Sequence, residues 1–121
     1  MGRFWIRETA AGFCFDLRAA NGSVVATGGP YRSRGACRRG IASVRRCCTA
    51  HLEDQTERDW DVEKHPKLEL FRDEDRRFYF CLRARNGAVI ASSGSYRTKA
   101  SCLDGIASMR RSALAADIWE E

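Results

Sequence analysis

The chain has no long apolar run, no nucleotide or nucleophile motif and only two histidines, and each shortage closes off a class of function. No stretch approaches the roughly 20 consecutive apolar residues that a membrane-spanning helix needs. The N-terminal "MGRFWIRETAAGFCF" lacks the apolar centre of an export signal, so the cytoplasm is the expected compartment. There is no P-loop, dinucleotide fingerprint or nucleophile elbow, and no C-x-x-C pair for redox catalysis. Paired carboxylates occur in charge runs such as "RDEDRR" that read as exposed turns. No enzyme activity and no cofactor are expected.

What is present fits one soluble domain. At 121 residues, 44% hydrophobic and 31% charged, the chain is too apolar for wholesale disorder and long enough to bury about two thirds of its unfolded surface. The net charge of +5 is uneven. Residues 1–48 carry nine basic and two acidic side chains, residues 49–66 two and six, and residues 67–121 ten and eight. A basic first part attracts nucleic acid or an acidic partner, and the acidic stretch beside it is placed to neutralise it within the molecule. Six cysteines without an export signal read as reduced thiols. Vicinal Cys47 and Cys48 with His51 form the one metal-like group, but the spacing matches no zinc pattern, and no metal is expected.

A shift of 65 positions lays residues 13–46 on residues 78–111, and 19 of those 34 pairs are identical. The chain is a duplicated unit: residues 1–48 form the first repeat, 49–66 an acidic linker and 67–121 the second repeat, with both repeats sharing one core. In each unit Phe13, Phe15, Leu17 and Ala19, or Phe78, Phe80, Leu82 and Ala84, alternate with polar residues as in a half-buried strand. Asn21-Gly22 and Asn86-Gly87 then predict two-residue type I′ turns, in which Ala19 faces Val24 and Leu17 faces Ala26. "FWI" and "LELF" read as a further strand in each unit. Ser33 and Thr98 are helix N-caps, followed at 3.6 spacing by Cys37, Ile41, Val44 and Cys48, and by Cys102, Ile106, Met109 and Ala113. Each unit therefore reads β-β-β-α. Within the linker "ERDW" is a candidate short strand, and the C-terminal "ALAADIWEE" extends the second helix or packs Trp119 as an ending.

The pattern "L.A.NG.V.ASSGSY.TKASC..GIASM" resembles the YegP-like family, a bacterial domain that commonly occurs in tandem. The resemblance covers nearly all of residues 4–48 and 67–113. It implies an α+β fold in which the two units form one antiparallel sheet with two helices packed on it, related by a pseudo-twofold axis. It supplies no activity and no catalytic residue. The motif positions are Asn21, Gly22, Tyr31, Gly40 and Ile41 in the first copy, and Asn86, Gly87, Tyr96, Gly105 and Ile106 in the second.

Gly40 and Gly105 open the repeated strings "GIASVRR" and "GIASMRR" inside a predicted helix, where glycine costs roughly 0.5–1 kcal/mol against alanine. Their place on the apolar side predicts close backbone approach to the sheet or to the other helix. The paired arginines that follow suit the C-terminal end of the helix dipole. On the sheet face turned away from the helices, Trp5, Arg7, Arg18, Tyr79, Arg83 and Arg85 form a candidate partner surface. The expected function is a non-enzymatic interaction module with a protein partner, acting as a monomer or weak dimer. The alternatives are nucleic-acid association through that basic aromatic face and, more weakly, a thiol-based redox sensor.

Overall fold

A computed structural model describes residues 2–120. The chain runs β1 (Arg3–Thr9), β2 (Gly12–Arg18), β3 (Val24–Tyr31), α1 (Arg34–Cys47), β4 (Leu52–Asp54), β5 (Lys67–Arg72), β6 (Phe78–Arg83), β7 (Val89–Ser92), α2 (Lys99–Ala115) and β8 (Asp117–Glu120). All eight strands join one sheet in the order β4-β5-β6-β7-β3-β2-β1-β8. The six inner strands pair antiparallel, as the repeat implies. The halves meet where Thr27 of β3 faces Ser92 of β7, two residues 65 apart, so the pseudo-twofold axis passes between them.

The two outermost pairs are parallel, and they cross-connect the units. β4 follows the helix of the first unit but pairs with β5 of the second, and β8 follows the helix of the second but pairs with β1 of the first. The acidic segment therefore supplies a strand as well as a connection. That strand is Leu52–Asp54; the "ERDW" positions, 57–60, lie in the loop after it. Leu52 alternates with Glu53 as a strand edge requires, whereas three of those four loop residues are charged and offer no apolar face. At the C-terminus α2 stops at Ala115, because Ala116 takes an extended backbone (ψ 138°) and leads into β8.

Ser33 and Thr98 cap the helices as predicted, each accepting a backbone N–H at 3.0 Å, from Ala36 and Ser101. Cys37, Gly40, Ile41, Val44 and Cys48 of the first unit, and Cys102, Gly105, Ile106, Met109 and Ala113 of the second, are buried against Phe4, Ile6, Phe15, Leu17, Leu68, Leu70, Phe80 and Leu82 of the sheet.

The hairpin turns are one residue longer than Asn-Gly predicts. Gly22 N–H donates to Ala19 O and Ala19 N–H to Ser23 O, both at 2.9 Å, so three residues make the turn. Only Gly22 is left-handed, at φ +86°. Asn21 contributes its side chain instead, accepting from Ser23 N–H at 2.9 Å. Asn86 and Gly87 repeat the arrangement. Leu17 still faces Ala26, but Val24 now faces Arg18 with a bulge between. Val25 turns into the core and Val24 is half exposed.

The helix glycines owe their place to a tyrosine at the end of the strand before each helix. A Cβ on Gly40 would lie 2.5 Å from Tyr31 Cζ, and one on Gly105 would lie 2.6 Å from Tyr96 Cζ. Each tyrosine ring is also stacked on a core phenylalanine, Tyr31 on Phe15 at 6.4 Å and Tyr96 on Phe80 at 6.3 Å between centroids. The close approach is therefore of a ring onto the helix backbone.

The first arginine of each "RR" reaches across the pseudo-dyad. Arg110 donates from Nε to Cys48 O (3.0 Å) and from Nη2 to Ala50 O (2.8 Å), at the end of α1. Arg45 donates to Ala116 O at the end of α2. Each guanidinium thus meets the negative end of the other helix, where free carbonyls need donors.

Candidate interaction surface

Opposite the helices one row of side chains crosses the whole sheet, in register order Glu53, Glu69, Cys81, Ser92, Thr27, Asp16, Trp5 and Trp119. The pseudo-dyad equates Glu53 with Trp119, Glu69 with Trp5 and Cys81 with Asp16. Along this row the two ends have diverged, although Arg18 and Arg83 on the same face are identical, while the opposite face kept its apolar residues.

At the second-unit end the face is a closed ion cluster. Lys67 Nζ lies 2.9 Å from Glu53 Oε1 and 3.6 Å from Glu69 Oε2. Arg83 Nε donates to Glu69 Oε1 at 2.6 Å and Cys81 Sγ donates to the same oxygen at 3.2 Å. Gln55 donates to both carboxylates. The loop after β4 closes over the group, with Glu63 N–H donating to Glu53 Oε1 at 2.7 Å. Glu53, Lys67 and Glu69 are all at least 92% buried. Burial alone would raise both carboxyls. For Glu53 the donors Gln55, Glu63 N–H and Lys67 outweigh it, and for Glu69 Arg83, Cys81 and the Lys67 charge do so; both sit below the usual carboxylate range. The hydrogen bond to Glu53 pushes Lys67 up.

The first-unit end is open. Trp5 and Trp119 stack at 6.0 Å with 14° between planes. The Arg3 guanidinium lies 4.4 Å from the Trp119 ring centre and that of Arg18 lies 5.3 Å from Trp5. Asp16, 5% exposed, holds Arg7 at 3.2 Å and Arg18 at 3.4 Å. Trp119 is 47% exposed on β8, the edge strand, all of whose residues are exposed.

The six sequence candidates separate accordingly. Trp5, Arg7 and Arg18 come together at the open end. Arg83 is engaged by Glu69 and by Gly87 O, at 2.8 Å; Tyr79 stacks on Phe71 at 5.7 Å; Arg85 lies off the face, in the exposed β6–β7 turn. Sequence reasoning missed Arg3 and Trp119. Arg3 was findable, since it sits two residues before Trp5 and so on the same strand face. Trp119 was not, because nothing local announces that β8 crosses to β1.

The thiols are sheltered. Burial pushes Cys37 and Cys102 up to about 11, and burial followed by the Glu69 hydrogen bond pushes Cys81 to about 12. Cys47 and Cys48 are buried while His51 is exposed, and among the described residues no three His, Cys, Asp or Glu side chains are grouped to hold a metal. Cys14 alone is partly exposed. A native thiol titration is therefore expected to show one fast-reacting group, removed by Cys14→Ser, with the others appearing only on unfolding. A burst of two or more would contradict this packing.

Fold and face together define a tandem-repeat α+β protein with strands exchanged between its halves and one open aromatic–arginine patch. Residues 9–54 and 73–120 match the family described as Domain of unknown function (DUF1508), and the chain belongs to that family. It is 29% identical to UPF0339 protein PA0329 of Pseudomonas aeruginosa over 98% of this chain and 96% of that one. A UPF0339 protein of Treponema denticola is 44% identical over 54 residues, 45% of this chain but 93% of that protein, the length of a single unit. The solution structure of Escherichia coli yegP, a protein of unknown function, superposes with a TM-score of 0.80 at 30% identity, covering 99% of this chain and 92% of that one. The solution structure of UPF0339 protein SO3888 from Shewanella oneidensis gives 0.79 at 23% identity, a likeness of fold. Among the described residues no helix is long and apolar enough to cross a membrane.

Proposed function

We propose that the protein is a non-enzymatic interaction module whose contact surface is the open end of the outer sheet face, formed by Arg3, Trp5, Arg18 and Trp119, and that its partner is a protein presenting carboxylates. The observation that carries the reading is the indole pair, half-buried Trp5 against exposed Trp119, with a guanidinium over each ring. Tryptophan and arginine are the residue types that dominate binding hot spots. A guanidinium on an aromatic face is held in place while its N–H edge stays available to a carboxylate. The nucleic-acid alternative uses the same cations, but a base must compete with the existing stack for ring surface, and Arg83 is engaged by Glu69. A redox sensor draws no support from thiols pushed up by burial. The free cysteines suit a reducing compartment, and the cytoplasm is the compartment proposed.

Affinity capture from nuclease-treated host extract tests the surface. The captured protein should be lost, by about tenfold or more in affinity, from Trp119→Ala and from Arg3→Glu/Arg18→Glu, a change of roughly 1.4 kcal/mol. Capture unchanged in both variants would overturn the assignment. Capture abolished by nuclease would transfer the surface to nucleic acid.

A further inference from the structure

The fold contains the same cleft twice, built each time from both units. One lies between the last turns of α1 and the β6–β7 turn, about 470 Å³ in volume, with Ser43, Arg46, Arg85 and Asn86 in its wall. Its pseudo-dyad mate lies between α2 and the β2–β3 turn, about 410 Å³, with Ser108, Arg111 and Asn21 in the same positions and Ala20 in place of Arg85. These are the serine and second arginine of "GIASVRR" and "GIASMRR" meeting the asparagine of the opposite unit's Asn-Gly turn.

Three observations point to an anion. Among the described residues no carboxylate lines the first cleft. Among the described residues Arg46 and Arg85 have neither an ion-pair nor a hydrogen-bond partner, whereas Arg45 and Arg110 next along the helices are both engaged. The exposed Arg46 has also been retained as Arg111, while Arg38 and Arg39 on the same helix have become Leu103 and Asp104. Retention of an exposed, unpaired cation is not a demand of the core. One physical objection is the helix dipole, since the end of α1 repels negative charge. Arg110 answers it by occupying the Cys48 and Ala50 carbonyls.

We propose that the cleft between α1 and the β6–β7 turn is a binding site for the phosphate group of a small phosphomonoester, with Arg46 and Arg85 matching the two charges, and Ser43 and Asn86 supplying neutral hydrogen bonds. The volume lies within the range of small-ligand sites. The site is on the helix side of the sheet and independent of the outer-face surface. Its mate, with one arginine, binds more weakly.

The test is an amide-resolved NMR titration with inorganic phosphate at constant ionic strength, with chloride as balancing salt and succinate as the carboxylate arm. Saturating shifts are expected at Ser43, Arg46, Arg85 and Asn86. Arg46→Gln and Arg85→Gln should each weaken phosphate binding at least tenfold, and Arg111→Gln should leave it unchanged. Both replaced side chains are exposed and unpaired, and a dispersed amide spectrum verifies that each variant is folded. Shifts that fail to saturate, an affinity unaltered in the double variant, or succinate binding as tightly as phosphate would each overturn the proposal.

Discussion

Gly40→Ala and Gly105→Ala are each expected to lower the melting temperature by about 8 °C. Alanine in a helix interior normally stabilises by roughly 0.5–1 kcal/mol relative to glycine. Here the new methyl would lie 2.5–2.6 Å from a tyrosine Cζ, well inside contact distance, and overpacking of this kind costs about 3 kcal/mol at its upper end. The ring has little room to retreat, since Tyr31 is stacked on Phe15 and Tyr96 on Phe80. The net loss is about 2 kcal/mol, at roughly 4 °C per kcal/mol for a chain of this size. A double-mutant cycle isolates the cause. In a Tyr31→Ala background, Gly40→Ala should become neutral or stabilising, because the helix propensity gain then stands alone. A single Gly40→Ala variant that melts above the parent would show that the ring does not require the glycine.

Lys67→Met is expected to cost about 3 kcal/mol at neutral pH, the lower end of the loss when one member of a buried ion pair is removed, because Arg83 and Gln55 still serve the carboxylates. The pH dependence identifies the mechanism. Glu53 and Glu69 titrate below the usual carboxylate range in the folded protein, so their contribution is fully present above the unfolded value near 4.3 and is lost as pH falls through the lower folded values. Without the Lys67 ammonium Glu53 loses both its hydrogen bond and its ion pair to that cation, and its burial pushes the other way. Protonation then relieves the variant, and its deficit against the parent should shrink between pH 7 and pH 5. Adding Glu53→Gln should recover part of the loss, since it removes a buried charge left short of its cation. A deficit that stays constant over this range would mean that removing Lys67 does not leave Glu53 short of its cation. Melting curves of the three proteins across pH 4–8 decide the point.

Much of the architecture was legible along the chain because it is locally encoded. The period-2 runs around Phe15 and Phe80, the caps at Ser33 and Thr98 and the 3.6 spacing from Cys37 and Cys102 each depend on neighbours within a few residues. The turns were half legible: Asn-Gly marks the hairpin, but whether the loop takes two residues or three depends on the bulge at Val25 and thus on packing from the helix side. The open patch was half legible too. Arg3, Trp5 and Arg18 follow from strand alternation, yet only the parallel docking of β8 brings Trp119 to Trp5. The same alternation assigns Arg83 to the outer face and cannot reveal that Glu69 engages it. "GIASVRR" was legible as a helix and as a duplication. Its division of labour was not, because Gly40 answers to a ring nine residues earlier, Arg45 to the end of α2, and Arg46 to a cleft walled by the other unit.

By itself, then, the sequence determined the repeat, the type and order of its main elements and the side of each that is apolar, since hydrophobic period and capping act over single turns and single strand pairs. Only the tertiary structure decided that the halves exchange their last strands, that one end of the outer face closes around Lys67 while the other stays open, and that serine, arginine and asparagine from different units share a cleft. Those outcomes depend on contacts between residues as much as 114 positions apart, as between Trp5 and Trp119, and no local preference carries information over that distance.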